Sequence, residues 1–279
     1  MTMVEAAPVI SDRELTAIIK LVYDKSGITL HDGKKALVVA RLQKRLRAGG
    51  FRSFGDYLRV VETDPSGEEL TGLLDAMATN HTSFFREAQH FEILRDRVLP
   101  EWRARGGAGF EMWSAACSSG EEPYTLGMTL ADTMTEAEIG RARILASDMS
   151  TKALGKARPG VYPMERVADL PREVLRRHFE KGLGAQAGLA RVGAHVRRLV
   201  TFEQRNLLEV GDVGRRFDVI FCRNVMIYFD RAVQQRVVSM LERHLAPRGY
   251  LFISHSESLN GVAHGLQWVA PAVYMRRPA

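Results

Sequence analysis

The chain has 279 residues, 46% apolar and 26% charged, with a formal net charge of +6; this is the balance of an ordinary globular protein with room for two domains. No apolar run approaches the ~20 residues needed to cross a bilayer, and the N-terminus has neither the basic start nor the apolar core of a signal peptide, so a cytoplasmic location without membrane insertion is expected. Two cysteines, Cys117 and Cys222, are too few for a disulfide framework or a zinc site, and no histidine pair has ligand spacing, so no metal is expected.

Residues 12 to about 105 read as helical. Leu15, Ile18, Ile19 and Val22 recur at helical spacing, as do Val38, Leu42 and Leu46, then Leu70, Leu73, Leu74 and Met77, then Phe91, Leu94 and Val98. Gly27, Gly49-Gly50 and Asp64-Pro65-Ser66-Gly67 break the pattern. An all-α N-terminal domain over residues 1–105 is expected. Its segment 34–47 carries Lys34, Lys35, Arg41, Lys44, Arg45 and Arg47 and no acid. That is a solvated helix face with snorkelling stems, or a docking surface for nucleic acid or for an acidic protein helix; no RNA-binding signature accompanies it.

The segment Thr79-Asn80-His81-Thr82-Ser83-Phe84-Phe85-Arg86-Glu87 is too polar for a plain core turn. Its phenylalanines suit anchoring, and Asn80, Thr82 and Arg86 suit facing a ligand, with Arg86 able to fork onto a carboxylate.

From residue 110 short apolar runs (110–115, 144–147, 200–204, 217–222, 250–254 and 272–275) alternate with helical segments such as 124–134 and 232–245. Such alternation predicts an α/β domain over 106–279, a parallel sheet covered on both faces and binding ligands beyond the carboxyl ends of its strands. Residues 159–198, with Pro159, Pro163, Pro171, Gly182, Gly184 and Gly188, break the alternation and predict a small antiparallel β insert. Such an insert is either a surface excursion or an exposed edge able to capture a peptide.

The first strand ends in Trp113-Ser114-Ala115-Ala116-Cys117-Ser118-Ser119-Gly120-Glu121-Glu122-Pro123-Tyr124. Small side chains admit a ligand close to the backbone; Ser118 or Ser119 can cap the helix that follows, and Pro123 fits its first turn. Glu121 and Glu122 would repel a phosphate and attract a cation, which suits the ammonium and sulfonium of S-adenosylmethionine. Asp148 closes the second strand, where an acid serves the two ribose hydroxyls or caps the next helix equally well. Asn206 and Leu207 close the third strand and can bracket an adenine. The fourth delivers Arg223 and Asn224, and Tyr228 lies one turn beyond, either as core packing or with its ring and hydroxyl toward a sulfonium methyl. His255-Ser256-Glu257 follows the fifth strand as part of the site wall. There is no Gly-x-Ser-x-Gly elbow and no Walker loop.

In combination, TNHTSFFRE (79–87), WSAACSSGEEPYT (113–125), ILASDMS (144–150), NLLE (206–209), FCRNVMIYFD (221–230) and HSES (255–258) resemble the chemotaxis receptor methyltransferases of the CheR type, from about residue 12 to 276. The resemblance implies an all-α domain before a Rossmann-like S-adenosylmethionine-dependent methyltransferase domain with a small antiparallel β insert. It implies that Asn80, Thr82, Arg86, Ala116, Glu122, Asp148, Asn206, Leu207, Arg223 and Asn224 bind the cofactor. Tyr228, Arg86 and Arg223 would act in catalysis, forming methyl esters on glutamate side chains of the acidic cytoplasmic helical bundle of chemoreceptors. Lys34, Lys35, Arg41, Lys44 and Arg45 gain a docking role. In some members the insert also holds a peptide from the receptor's C-terminal tail; Gly182, Gly184 and Gly188 match that subset, while Lys181 stands where an arginine is typical. A monomer is expected. Two rival functions are a methyltransferase acting on RNA or another non-receptor substrate, and a non-catalytic module that senses S-adenosylmethionine.

Overall fold

A computed structural model describes residues 8–30, 33 and 35–278; Lys34 of the basic segment lies outside them. The chain folds as two units, one up to Thr79 with Tyr228–Asp230, the other comprising Asn80–Ile227 and the residues from Arg231 onward.

Among its described residues the first unit packs four helices, α1 (Asp12–Ser26), α2 (Lys35–Gly49), α3 (Phe54–Thr63) and α4 (Glu68–Met77). Ser11 and Glu14 form a reciprocal capping box at the start of α1, and Gly27 ends it in the left-handed conformation, φ 71°. The periodic residues form the interior: Ile18, Val22, Val38, Leu42 and Leu73 are fully buried. Tyr228–Asp230 joins this unit through a backbone bond from Thr29 N–H to the Tyr228 carbonyl (2.8 Å) and the Tyr23 hydroxyl donating to Asp230 (2.6 Å).

In the second unit, α5 (Gln89–Ile93), a π turn (Leu94–Val98) and α6 (Leu99–Ala104) run consecutively before β1 (Phe110–Ser114). The helical sequence therefore overshoots the division between units. Phe91, Leu94, Val98, Leu99 and Trp102 share one buried cluster with Phe110 and Met112 of β1, so their apolar face belongs to the sheet. The Trp102 indole also donates to the Gly109 carbonyl (2.8 Å). The glycines at 106–109 are a turn within one core.

Seven strands form the main sheet: β1, β2 (Ala142–Asp148), β6 (Val200–Gln204), β7 (Phe217–Phe221), β8 (Leu245–Phe252), β9 (Gln267–Ala270) and β10 (Val273–Met275), in the order β6-β2-β1-β7-β8-β10-β9. The first five are mutually parallel, and β10 runs antiparallel to both of its neighbours, β8 and β9. Helices α7 (Glu121–Thr133) and α8 (Glu136–Ile139) connect β1 to β2, and α12 (Arg231–His244) precedes β8. The chain moves outward from β1 to β2 and β6, then returns to the other flank of β1 with β7. The order reverses between β1 and β7, the position where open parallel sheets bind ligands.

Between β2 and β6 lie α9 (Thr151–Ala157), β3 (Val161–Pro163), α10 (Arg172–His178), β4 (Phe179–Lys181), β5 (Leu189–Val192) and α11 (Ala194–Arg197). The three strands form an antiparallel sheet in the order β3-β5-β4, the insert expected from the proline and glycine punctuation. Edge strand β9 escaped the periodicity because it is only four residues long and Trp268 is 62% exposed.

A core histidine makes stability depend on pH. His90 of α5 is fully buried, stacked on His255 (4.7 Å, 15°) and edge-on to Phe252 (5.5 Å). Burial, then the Arg223 charge, lowers its pKa to about 3. The unfolded chain binds a proton near pH 6.5 that the fold refuses, so this stability is complete above about pH 6.5 and is lost as pH falls toward 3. Urea unfolding at pH 7 and pH 5 is expected to show His90→Leu losing about 2 kcal/mol less than the wild type between the two; equal losses would remove His90 as the cause.

Candidate cofactor and active site

The rim of the sheet at the β1/β7 reversal is built from backbone held in an unusual conformation. Of six non-glycine residues with positive φ among the described residues, four fall in segments bonded into this rim: Phe85 (52°), Glu87 (58°), Ser118 (49°) and Asn224 (59°). Left-handed backbone costs free energy for residues with a Cβ and persists where the surroundings enforce it. Ser118 is held by its N–H donating to Asp148 (2.8 Å), and Asn224 by its N–H donating to Glu257 (3.1 Å) and its side-chain amide donating to the Ser254 hydroxyl (2.6 Å).

Arg223 organises the centre. It follows β7 and its side chain is 1% exposed. One Nη donates to Glu122 (3.0 Å); the other donates to the Arg86 carbonyl (2.6 Å) and lies 3.2 Å from Glu87. Its guanidinium also sits 5.8 Å from the ring centroids of Phe91 and Phe221. Glu122 is further bound by the Ser114 hydroxyl (2.7 Å), and Glu87 by the Ser254 hydroxyl (2.8 Å) and the His255 N–H (3.1 Å). Burial pushes the Glu122 carboxyl above the usual carboxylate range, with Arg223 and Ser114 acting against it. Glu87 moves the other way: burial raises it, but Arg223, Ser254 and the His255 N–H together bring it below the usual range.

The remaining residues named from the sequence sit as follows. Asp148 accepts from the N–H groups of Ser118 and Ser150, each at 2.8 Å. The N-cap of α9 is Ser150, whose side chain accepts from Ala153 N–H. Asn80 is exposed, with its amide 3.4 Å from the Ser150 hydroxyl, and Thr82 is buried. Arg86 donates to the His81 carbonyl (2.9 Å). Ala116 is half-buried just past β1, where the preceding Ala115 N–H bonds to Phe221. Asn206 folds its own loop by accepting from Leu208 N–H (3.1 Å), and Leu207 lines a groove of about 300 Å³ with Leu208, Gln235 and Met240. Tyr228 lies in the short 3₁₀ turn Met226–Tyr228 and belongs to the helical unit. Cys117 and Cys222 are buried, and burial pushes both thiols well above the usual thiol range.

Three expectations change. Neither Ser118 nor Ser119 caps α7: its N-cap is Gly120 at φ 95°, where a Cβ would come within 2.8 Å of Ala157 and the Tyr162 hydroxyl. Ser119 instead donates to Glu121 (2.7 Å). Glu121 does not face a ligand cation, being 1% exposed and paired with Arg166 of the insert, which also donates to the Thr82 carbonyl (2.7 Å). The basic residues of α2 are unequal. Arg41 donates to the Met77 carbonyl (2.6 Å), and Arg45 to Glu69 (2.6 Å) and Tyr57 (3.2 Å) with its guanidinium over Gly72. Both are framework groups of the helical unit. Lys35 is exposed and pairs with Asp12 (2.6 Å), and Lys44 is exposed.

Sequence reasoning missed Glu87, His90 and Ser254, which pack onto Arg223, Asn224 or one another, and gave Glu257 only a place in the site wall without its hold on the Asn224 turn; the polar density of the two motifs was the only hint. Glu87, His90 and His255 bring potential metal ligand atoms within 4.8 Å. Their geometry opposes a shared ion: the imidazoles stack in parallel, so their in-plane lone pairs do not converge, and Arg223 already holds the same Glu87 oxygen.

The rim fits a cationic adenosyl ligand. Glu122 and Glu87 outnumber Arg223, Asp148 offers a carboxylate beside small-residue backbone, and two buried groups, the Ser118 hydroxyl and Arg223 Nε, have no hydrogen-bond partner. Comparison with known proteins agrees. Residues 13–78 match the CheR methyltransferase all-alpha domain, and residues 80–274 match the CheR methyltransferase SAM binding domain. A chemotaxis protein methyltransferase of Escherichia coli is 42% identical over 90% of this chain and 86% of its own length. One of Borreliella burgdorferi is 36% identical over 96% and 95%, and chemotaxis protein methyltransferase 2 of Pseudomonas aeruginosa is 40% identical over 90% and 89%. The chain belongs to the CheR family of methyltransferases, with S-adenosylmethionine as its cofactor.

Proposed function

We propose that this protein methylates side-chain carboxylates of glutamates on the acidic cytoplasmic helical bundle of chemoreceptors, forming methyl esters in chemotactic adaptation. The observation that carries the reading is the negative rim at the β1/β7 reversal. There Glu122 and Glu87 share one buried Arg223, leaving excess negative charge that an ammonium and a sulfonium would neutralise. When bound, S-adenosylmethionine supplies a methyl group on positively charged sulfur.

The chain's residues position and select. Glu122, held by Arg223 and the Ser114 hydroxyl, takes the ammonium end. Asp148, oriented by the Ser118 and Ser150 N–H groups, takes the ribose hydroxyls. Thr82, Asn80 and Arg86 approach from the 79–87 segment, Ala116 leaves room for the methionyl part, and Asn206 and Leu207 flank the adenosine. Arg223 and Asn224 line the pocket, and Tyr228 stands beside the methyl. A glutamate substrate titrates near ~4.3 and is already ionised at neutral pH, so no general base is required. Alignment of donor and acceptor can supply about 7–11 kcal/mol.

The helical unit offers Lys35 and Lys44 to the acidic bundle. The insert offers β4 as an edge strand, and residues 158–198 hold nine basic and four acidic side chains, which favours a peptide from an acidic receptor tail. Among the described residues no helix is long and apolar enough to cross a membrane.

Asp148→Ala is expected to weaken S-adenosylhomocysteine binding by about 2 kcal/mol, roughly thirtyfold in Kd; unchanged affinity by calorimetry would remove the ribose role. Tyr228→Phe is expected to lower kcat roughly tenfold with little change in cofactor Kd; an unaltered rate of base-labile methyl incorporation would demote the hydroxyl to packing. The doubly reversed Lys35→Glu/Lys44→Glu variant should raise KM for the receptor bundle at unchanged Tm and cofactor affinity, whereas Arg45→Glu should lower Tm by placing like charges together. Normal receptor KM in the lysine variant would count against docking by α2.

A further inference from the structure

We infer that Glu257 is a positioning residue that holds the turn delivering Tyr228, an inference that rests on the catalytic reading of Tyr228. Glu257 follows β8, whereas the turn it grips follows β7. Its Oε2 accepts from the N–H groups of Asn224 (3.1 Å) and Ser254 (2.7 Å), and its Oε1 from Met226 N–H (2.8 Å). The Ile227 N–H is directed at the same carboxylate and, with the others, opposes the rise that burial imposes on its pKa. One half-buried carboxylate thus collects the amide groups of Asn224, Met226 and Ile227 in a loop that contains a left-handed Asn224 and stops at the residue before Tyr228. Such a loop otherwise lacks a regular partner for these groups, and an unmade buried hydrogen bond costs about 1–3 kcal/mol.

The two oxygens serve different parts of the turn. Asn224 is held twice, through Glu257 and through its own amide on the Ser254 hydroxyl (2.6 Å). Met226 depends on Oε1. A glutamine at 257 keeps one acceptor and turns an NH2 group on the other side against an N–H donor. Placed with its oxygen toward Asn224 and Ser254, it preserves the cofactor wall and releases residues 226–227. Glu257 therefore governs turnover more than cofactor affinity.

The test is a double-mutant cycle of Glu257→Gln and Tyr228→Phe, reading kcat for base-labile methyl esters on a receptor bundle, with S-adenosylhomocysteine Kd and stoichiometry by calorimetry. Glu257→Gln is expected to lower kcat per bound site by about 10- to 100-fold with Kd within about threefold of wild type, and the double variant is expected to be no slower than the slower single. A merely structural role would instead lower stoichiometry or multiply with Tyr228→Phe. Wild-type kcat in Glu257→Gln, or multiplicative losses in the double variant, would overturn the inference while Tyr228→Phe alone remains slow. A wild-type rate in Tyr228→Phe sinks the underlying reading of Tyr228 instead. Should Glu257→Gln fail to fold, Glu257→Asp enters the same cycle: it keeps both acceptors and the charge but retracts them by one methylene, and the same two results decide.

Discussion

A guanidinium with almost no exposure, shared by two carboxylates, is the constraint on which the catalytic unit turns. Arg223 leaves β7 and is held by Glu122 from the helix after β1 and by Glu87 from the segment before α5. Three stretches far apart in sequence meet at one charge. Removing a partner from a buried pair costs about 3–5 kcal/mol because the remaining charge is stranded, so the three stretches can only move together. That rigidity suits a reaction in which placement does most of the chemistry.

Around this charge the backbone is tightened by carboxylates that accept N–H groups. Asp148 closes the Ser118 turn, Glu257 closes the Asn224 turn, and Glu87 collects the His255 N–H. Each serves a loop at the carboxyl end of a strand, where the sheet no longer satisfies the main chain.

The insert is fastened by charge as well as by packing. Arg166 reaches the buried Glu121 and the Thr82 carbonyl, and His178 bridges Asp132 of α7 and His195 (3.1 Å each). Glu121 and Glu122, adjacent in sequence and equivalent on paper, are thereby assigned opposite tasks. One pairs with Arg166 of the insert and the other with Arg223 at the rim, because neighbours on a helix point about 100° apart.

Periodicity and punctuation by themselves determined the helical first part, the parallel strands and the antiparallel insert, since those depend on local spacing of apolar residues and on proline and glycine. The motifs likewise carried the family and the cofactor, because small residues, Asp148 and Arg223 sit at strand ends whatever the packing. Only the tertiary structure decided that residues 89–104 pack with the sheet, that Arg41 and Arg45 brace their own bundle, that Glu87, His90 and Ser254 pack around Arg223 and Asn224, and that Glu257 grips the Asn224 turn. Those outcomes rest on contacts between distant segments, whose partners no local pattern names: an arginine's free energy depends on which carboxylate it meets, and that is settled when the chain folds.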